Sequence, residues 1–292
     1  MNFWRHVEQA ITEQTGEAFA IRDHHGVGGG CINEAWVLEG DRRDYFIKTN
    51  RPEMLEMFKA EAEGLRALAD TGAITVPRPV CWGAAEDRAW LVMDNIRMGG
   101  RANGGLFGEQ LARMHLCFAD RFGWHRDNTI GSTPQPNGWS EDWVDFWRRR
   151  RLGFQLELAA RNGIGARLVE RGELLKDKFG DFFAGYAPRP SPLHGDLWSG
   201  NWSFDSGGSP VIFDPAFYYG DHEADLAMME LFGNPGSDFQ AAYRSVFPVD
   251  AGYPLRRELY NLYHVLNHYN LFGGGYGSQA GRMIDKLLAE LI

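Results

Sequence analysis

Cysteine is scarce in this chain: three among 292 residues, at Cys31, Cys81 and Cys117. They do not fall at metal-ligand spacing, and an odd, sparse set excludes a disulfide-stapled scaffold and suggests reduced thiols in a cytoplasmic compartment. Long apolar runs are missing too. None approaches the roughly 20 residues that span a bilayer, and the opening stretch from Met1 lacks the charged-then-apolar layout of a signal peptide. The expectation is a soluble, cytoplasmic protein with no membrane partner. Positive charge is in deficit, with 30 Lys and Arg against 39 Asp and Glu and a formal net charge of -9. General nucleic-acid or anionic-membrane binding needs a basic surface and is disfavoured. No internal repeat or low-complexity tract occurs. What remains is an ordinary globular composition, 44% hydrophobic and 24% charged, on a chain long enough for two cores.

Apolar residues at Phe3, Trp4, Val7, Ala10 and Ile11 have helical spacing, and Gly16 ends that helix. A turn-rich stretch from Gly26 to Asn33 follows. Two strand-like runs, Glu34 to Leu38 and Tyr45 to Thr49, are joined by a polar turn. Met54 to Leu68 reads as a helix, Thr75 to Trp82 as extended chain, and Ala89 to Met93 as a short strand. Gly99 to Gly105 resembles a linker, which puts a boundary near residue 97: a β-rich first lobe over 1–97 and a mainly helical second lobe over 98–292. In the second lobe, Leu106 to Phe118, Trp139 to Asn162 and Ala166 to Phe183 carry helical periodicity. Two short strands, Asn201 to Phe204 and Pro210 to Phe213, form a hairpin across Asp205-Ser-Gly-Gly-Ser209. Helices resume at Glu223. The fold class expected is α+β.

The chemistry concentrates in His194-Gly-Asp-Leu-Trp-Ser-Gly-Asn201, with Asp214 after the hairpin. Phosphoryl transfer needs a carboxylate near the acceptor hydroxyl and oxygen ligands that hold Mg2+ on the phosphates. Kinase-like loops supply these as Asp, an Asn five positions on, and an Asp at the end of a following strand. Asp196 would orient or accept the hydroxyl proton, while Asn201 and Asp214 would bind metal. The plain alternative makes Asp196 a turn cap and Asp214 a strand end, but several residue types would then agree by chance. Pro215 after Asp214, and Gly195 inside His-Gly-Asp, both point away from protein kinases and toward phosphotransferases acting on small molecules.

Lys48 on the strand Tyr45-Phe-Ile-Lys-Thr can reach the α- and β-phosphates of ATP if a helix glutamate holds it. Glu61 is preferred over Glu63 because it shares helical spacing with Leu65 and Leu68. Gly28, Gly29 and Gly30 would let backbone N–H groups approach phosphate oxygens, although a plain hairpin turn explains them as well. Cys31 beside them could be oxidised, against the commoner case of an inert thiol. Asp94, Asn95 and Ile96 would form the hinge that meets adenine, against an edge strand entering a loop.

His115 lies on an apolar helix face and reads as structural. Asp225 would either hold the catalytic loop by hydrogen bonds or simply favour a helix N-terminus. Trp139, Trp143, Phe146 and Trp147 fall on one helical face with Glu141, Asp142 and Asp145 beside them; a core-facing helix is favoured over a sugar-stacking platform.

The sequence resembles the fructosamine kinase (ketosamine kinase) family, relatives of aminoglycoside phosphotransferases and choline kinases. The carrying segments are Gly28 to Asn33, Phe58 to Leu65, Asp127 to Asn137, Arg151 to Ala159, His194 to Asn201 and Phe213 to Met229. The match runs nearly end to end, and Asp-Leu-Trp-Ser-Gly-Asn and Thr-Pro-Gln-Pro-Asn are its most specific stretches. The resemblance implies a protein-kinase-like bilobal fold and ATP with Mg2+. It also implies phosphorylation of a ketosamine on its third-carbon hydroxyl, after which the sugar leaves and the amine is regenerated. Substrates would be small glycated amines or protein-bound ketosamines, and the assembly a monomer or weak homodimer. Trp198 and Gln135 would shape the substrate pocket. Two rivals stand: a phosphotransferase for aminoglycosides or other amino alcohols, and a pseudokinase that binds nucleotide without turnover. The pseudokinase predicts loss of Lys48, Asp196, Asn201 or Asp214, and all four are present.

Overall fold

The computed structural model describes residues 2–28 and 32–291. Gly29, Gly30 and Cys31 lie outside the described residues. The chain divides into two compact units, one of residues 1–103 with 203–215, the other of 104–202 with 216–292.

The first unit opens with helix α1 (Phe3–Thr15), which starts where Asn2 caps the Arg5 N–H and stops at Gly16 in the left-handed region, φ 72°. Such a backbone suits glycine, which has no Cβ to clash. Phe3, Val7 and Ile11 recur at a four-residue spacing and bury one stripe against Leu38, Tyr45, Ile47, Trp90 and Val92 of a sheet. Each side chain so removed from water stabilises the unit by roughly 1.5–3 kcal/mol.

That sheet has five antiparallel strands in the order β1 (Asp23–Val27), β2 (Glu34–Glu39), β3 (Tyr45–Asn50), β5 (Arg88–Asp94) and β4 (Pro79–Ala85). Gly26 and Val27 lie in β1, paired with Trp36 and Ala35, so the strand reaches further into the glycine stretch than the sequence pattern suggests. Strand alternation puts Tyr45 and Ile47 on the α1 face and Lys48 on the other, level with Ala35 and Leu91. Helix α2 (Leu55–Asp70) buries Phe58, Leu65 and Leu68, with Glu61 between them in the helical register. Thr75 bridges Val211, and the Gly99 and Ser206 N–H groups donate to Phe204 and Arg97 carbonyls at 3.0 and 2.8 Å. These bonds attach residues 203–215 to the first unit although they are remote in sequence.

The second unit begins with α3 (Gly104–His115) and a small hairpin of β6 (Asn128–Ile130) and β7 (Thr133–Gln135). The helix expected from Trp139 instead starts at Trp143. Asp142 accepts the Asp145 N–H at 2.6 Å and so caps α4 (Trp143–Trp147). This cap sets the start, because its extended backbone cannot continue a helix toward Trp139. A π-helical turn, Arg148–Gly153, follows and leads into α5 (Phe154–Arg161). Trp143, Phe146 and Trp147 are buried, while Asp145 pairs with Arg148 and Arg149, so this face is core.

After α6 (Ala166–Asp177), β8 (Ser191–Leu193) pairs with β11 (Tyr218–Gly220), while β9 (Trp202–Phe204) and β10 (Pro210–Ile212) form the hairpin foreseen across Asp205 to Ser209. Helices α7 (Glu223–Leu231), α8 (Ser237–Val246), α9 (Tyr253–Phe272) and α10 (Gly275–Ala289) complete the unit. No helix among the described residues is long and apolar enough to cross a membrane.

Candidate active site

In the first unit, Lys48 is buried and its ammonium meets two carboxylates, Glu61 Oε1 at 2.5 Å and Asp214 Oδ1. Burial by itself would lower the lysine pKa. The fields of Asp214 and then Glu61 outweigh that and move it upward, so Lys48 stays an ammonium. Burial pushes the Glu61 carboxyl upward, and Lys48 opposes the shift without cancelling it. Glu61, the residue preferred over Glu63 on helical spacing, is a glutamate that pairs with Lys48.

Asp214 is exposed and sits at φ 60°, one of two described non-glycine residues with positive φ. Aspartate tolerates this region better than most residues, but the conformation still costs energy and is found where a side chain must be aimed. The Asp214 carboxylate is aimed at the lysine 166 positions earlier in the chain.

The glycine stretch joins β1 to β2, and Gly28 is exposed with open space where a Cβ would stand. Its far end is clamped by Asn50, whose Nδ2 donates to Ile32 O at 3.0 Å and Asn33 Oδ1 at 2.7 Å. Sequence reasoning missed Asn50; its place two residues beyond Lys48 on the same strand was the available signal. Asp94 closes β5 with its carboxylate on Arg43 at 2.5 Å and its N–H on Arg78 O at 3.0 Å. Asn95 and Ile96 follow, both part-buried and outside the sheet.

In the second unit, the segment from His194 to Asn201 leaves β8 as a tight, internally bonded loop. The Asp196 N–H donates to His194 Nδ1 at 3.2 Å, and the Trp198 and Asn201 N–H groups donate to the Asp196 and Trp198 carbonyls at 3.1 and 2.9 Å. Asn201 Nδ2 donates to both the carbonyl and Oδ2 of Asp196, at 2.8 and 3.2 Å. That orientation of the amide directs its nitrogen to Asp196 and leaves the amide oxygen for another partner. Asp196 is part-buried, Leu197 is fully buried beneath it, and Trp198 is 40% exposed with its ring over Gly200.

Gly195 explains the departure from His-Arg-Asp. It has φ 83°, and a Cβ there would stand 2.1 Å from the Ala216 carbonyl oxygen. The same contact line is stitched by the Ala216 N–H donating to His194 O at 2.8 Å. Gly195→Ala is therefore expected to destabilise the protein by about 3 kcal/mol, from backbone strain plus overpacking, which urea unfolding measures; an unchanged midpoint would refute the close contact.

Asp225 does hold the loop. It is buried, and its carboxylate accepts the His194 N–H at 2.7 Å, the Gly195 N–H at 2.9 Å and His115 Nε2 at 3.2 Å. Burial would raise its pKa, but the His115 hydrogen bond, followed by His194 and the Gly195 amide, brings it below the usual value. His115 is structural, as its apolar helix face suggests.

Gln135 is buried and fully engaged: its Nε2 donates to Asn128 Oδ1 at 2.9 Å and to Ala216 O at 3.0 Å, and its Oε1 accepts from Tyr263 at 2.8 Å. Arg151, fully buried on the π-helical turn, donates to Pro136 O and Asn137 Oδ1 at 2.6 Å each and stacks 4.0 Å from the Tyr218 ring centroid. The Thr-Pro-Gln-Pro-Asn segment thus braces the backbone at Ala216.

The fructosamine kinase family model matches residues 3–290. A Synechocystis sp. protein assigned as a ketoamine kinase is 44% identical, over 98% of this chain and 97% of its own. A chloroplastic protein-ribulosamine 3-kinase of Arabidopsis thaliana is also 44% identical, over 97% of this chain and 87% of its own. Among solved structures, one from Haemophilus somnus 129PT assigned to fructosamine-3-kinase superposes with a TM-score of 0.89 at 28% identity, covering 98% of this chain and 97% of that one. An aminoglycoside phosphotransferase in ternary complex with AMP-PNP and hygromycin B superposes with a TM-score of 0.63 at 16% identity, covering 97% of each chain, and shares the kinase-like fold.

Proposed function

This chain belongs to the fructosamine kinase family, and on that premise we propose that it transfers the γ-phosphoryl group of ATP to the third-carbon hydroxyl of ketosamines, with Asp196 as the catalytic carboxylate. The observation that carries the reading is the Asp196–Asn201 pairing, which fixes a carboxylate and leaves an amide oxygen directed elsewhere. The first unit supplies Lys48, braced by Glu61, for the phosphates, and the glycine run that begins at Gly28 offers backbone N–H groups to them. Asn95 and Ile96, beyond the end of β5, take the adenine-contacting role with Asp94 as their anchor on Arg43.

Asn201 and Asp214 suit Mg2+. Both offer hard oxygen donors, and such an ion keeps several waters and phosphate oxygens in its shell, so two protein ligands suffice. Among the described residues no group of three or more His, Cys, Asp or Glu could hold a metal alone. When bound, the ion offsets phosphate charge. The protein's own part is distinct: Lys48 neutralises charge on the phosphates, and Asp196 orients the hydroxyl and takes its proton as the oxygen attacks phosphorus. Trp198, half in solvent next to Asp196, offers an apolar face to the sugar-amine; Gln135 acts through the backbone it braces rather than by contact. Phosphorylation at the third carbon makes the sugar leave, and the amine is regenerated.

Relatives at 44% identity carry ketosamine names, whereas the aminoglycoside enzyme shares only 16%. A mass-resolved phosphorylation assay tests the choice of acceptor on ribulosamine and fructosamine adducts of a small amine and of a protein, beside aminoglycosides and choline. We expect one phosphate added to at least one ketosamine and none to the amino alcohols. Phosphorylation of the amino alcohols alone would overturn the reading.

A further inference from the structure

Two buried residues outside the site, Tyr243 on α8 and His222 just before α7, make contacts that the phosphotransfer roles do not require. Tyr243 is 1% exposed, His222 4% and His115 0%. The Tyr243 hydroxyl lies 2.7 Å from His115 Nδ1 and 2.8 Å from His222 Nδ1. His115 Nε2 in turn reaches the Asp225 carboxylate, which accepts the His194 and Gly195 N–H groups. The contacts form an unbroken chain inside the second unit, from His222 through Tyr243, His115 and Asp225 to the backbone that carries Asp196.

We infer that Tyr243 and His222 are positioning residues for phosphoryl transfer: they fix the tautomer of His115, and through it the orientation of the Asp225 carboxylate under the catalytic loop. The inference rests on the role proposed for Asp196. A tyrosine hydroxyl has one proton, so between two ring nitrogens it donates to one and accepts from the other. Asp225, an ionised acceptor, requires a proton on His115 Nε2. If His115 carries a single proton, Asp225 places it on Nε2, and Tyr243 then donates to His115 Nδ1 and accepts from the Nδ1–H of His222. His222 is kept neutral chiefly by burial, with the Arg256 charge acting in the same direction, its pKa lowered to about 2. Its ring stacks on Phe247, with centroids 4.0 Å apart, which holds Nδ1 toward Tyr243.

The helix packing supports the same assignment. Gly108 of α3 lets α8 approach so closely that a Cβ there would stand 2.2 Å from Phe239 O and 2.9 Å from Tyr243 N. Gly104, one turn earlier, faces the start of α8, where a Cβ would stand 3.4 Å from Pro235 O. Glycines spaced by four on one helix face bring the two backbones together, and that approach delivers the Tyr243 hydroxyl to His115 at the far end of α3. Neither glycine is needed by the helix for a turn; both serve the contact.

The test combines kinetics and nuclear magnetic resonance on the full chain. Tyr243→Phe removes only the hydroxyl, and His222→Phe keeps the ring stack but removes the donor. For each, kcat per folded molecule is expected to fall about tenfold, the scale of one buried hydrogen bond, while KM for ATP stays within about twofold. A long-range 15N–1H spectrum of the wild type should show His115 protonated on Nε2 and His222 on Nδ1, both neutral; in Tyr243→Phe the His115 signal should lose this pattern. A kcat within twofold of wild type in a folded variant overturns the inference, and so does a wild-type His115 protonated on Nδ1. If both variants unfold, the wild-type spectrum decides. A wild type that transfers phosphate to no acceptor would sink the role of Asp196 instead, while the spectrum still tests the hydrogen-bond chain.

Discussion

Replacing Asp196 with asparagine is expected to lower kcat by about a thousandfold, within the range that a lost general base costs, while KM for ATP changes less than about twofold. The substitution keeps the volume and an oxygen that can still accept from Asn201 Nδ2, so the loop bonds at 2.8 and 3.2 Å need not be lost. Leu197 stays buried, and His194 stays bonded to the 196 N–H. What disappears is the negative charge proposed to orient the attacking hydroxyl. A loss confined to kcat assigns Asp196 to the chemical step; an equal rise in KM for ATP would place it in nucleotide binding. Steady-state kinetics with saturating ketosamine, and circular dichroism to confirm folding, make the distinction. Equal activity in the two proteins would remove Asp196 from the mechanism.

Lys48→Met is expected to reduce kcat/KM for ATP by roughly a hundredfold to a thousandfold, the loss typical of one preorganised charged donor. It also strands Glu61. That carboxylate is 10% exposed and already pushed upward by burial, with Lys48 as its opposing partner. Breaking a buried pair from one side costs about 3–5 kcal/mol when the orphan must stay charged; here Glu61 can take up a proton, which limits the loss to about 1–3 kcal/mol.

The sign of the pH dependence follows. A carboxyl whose folded pKa lies above its unfolded value binds protons more tightly when folded, so its contribution to stability declines as pH rises from the unfolded pKa through the folded one. Lys48→Met should therefore be less destabilised, relative to wild type, at pH 5 than at pH 8. The double variant Lys48→Met with Glu61→Gln should recover stability without recovering activity, because the orphan charge is gone but the cation proposed to bind the phosphates is still missing. Urea unfolding at the two pH values, paired with ATP kinetics, checks both arms. A double variant no more stable than Lys48→Met would show that Glu61 is not the stranded group.

Much of this was legible in the linear chain wherever the information was local. The step of five from Asp196 to Asn201 lies in one loop, and the helical register of Glu61 with Leu65 separated it from Glu63. The cap at Gly16 and the hairpin from Asp205 to Ser209 are likewise short-range turn chemistry, and the structure contains both. The start of α4 was misjudged because aromatic periodicity from Trp139 continued past a stronger local signal, the Asp142 cap. Gln135, expected to shape the substrate pocket, is a buried brace of the backbone at Ala216, and Arg151, to which the sequence pattern assigned no role, braces residues 136 and 137.

By itself, then, the sequence determined the reaction class and singled out candidate residues for phosphoryl transfer from residue types at short spacing, while the family came from a resemblance that runs nearly end to end. Only the tertiary structure decided which side chains those residues answer to. Asp214 meets Lys48 across 166 positions, and residues 203–215 join the first unit rather than the one that surrounds them in the chain. Asp225 reaches back 31 residues to the His194 amide, and Tyr243 reaches back 128 to His115. The physical reason is common to all four. Burial makes an unpaired charge or donor costly, but the partner that removes the cost is chosen by packing between distant segments, and no local pattern encodes it.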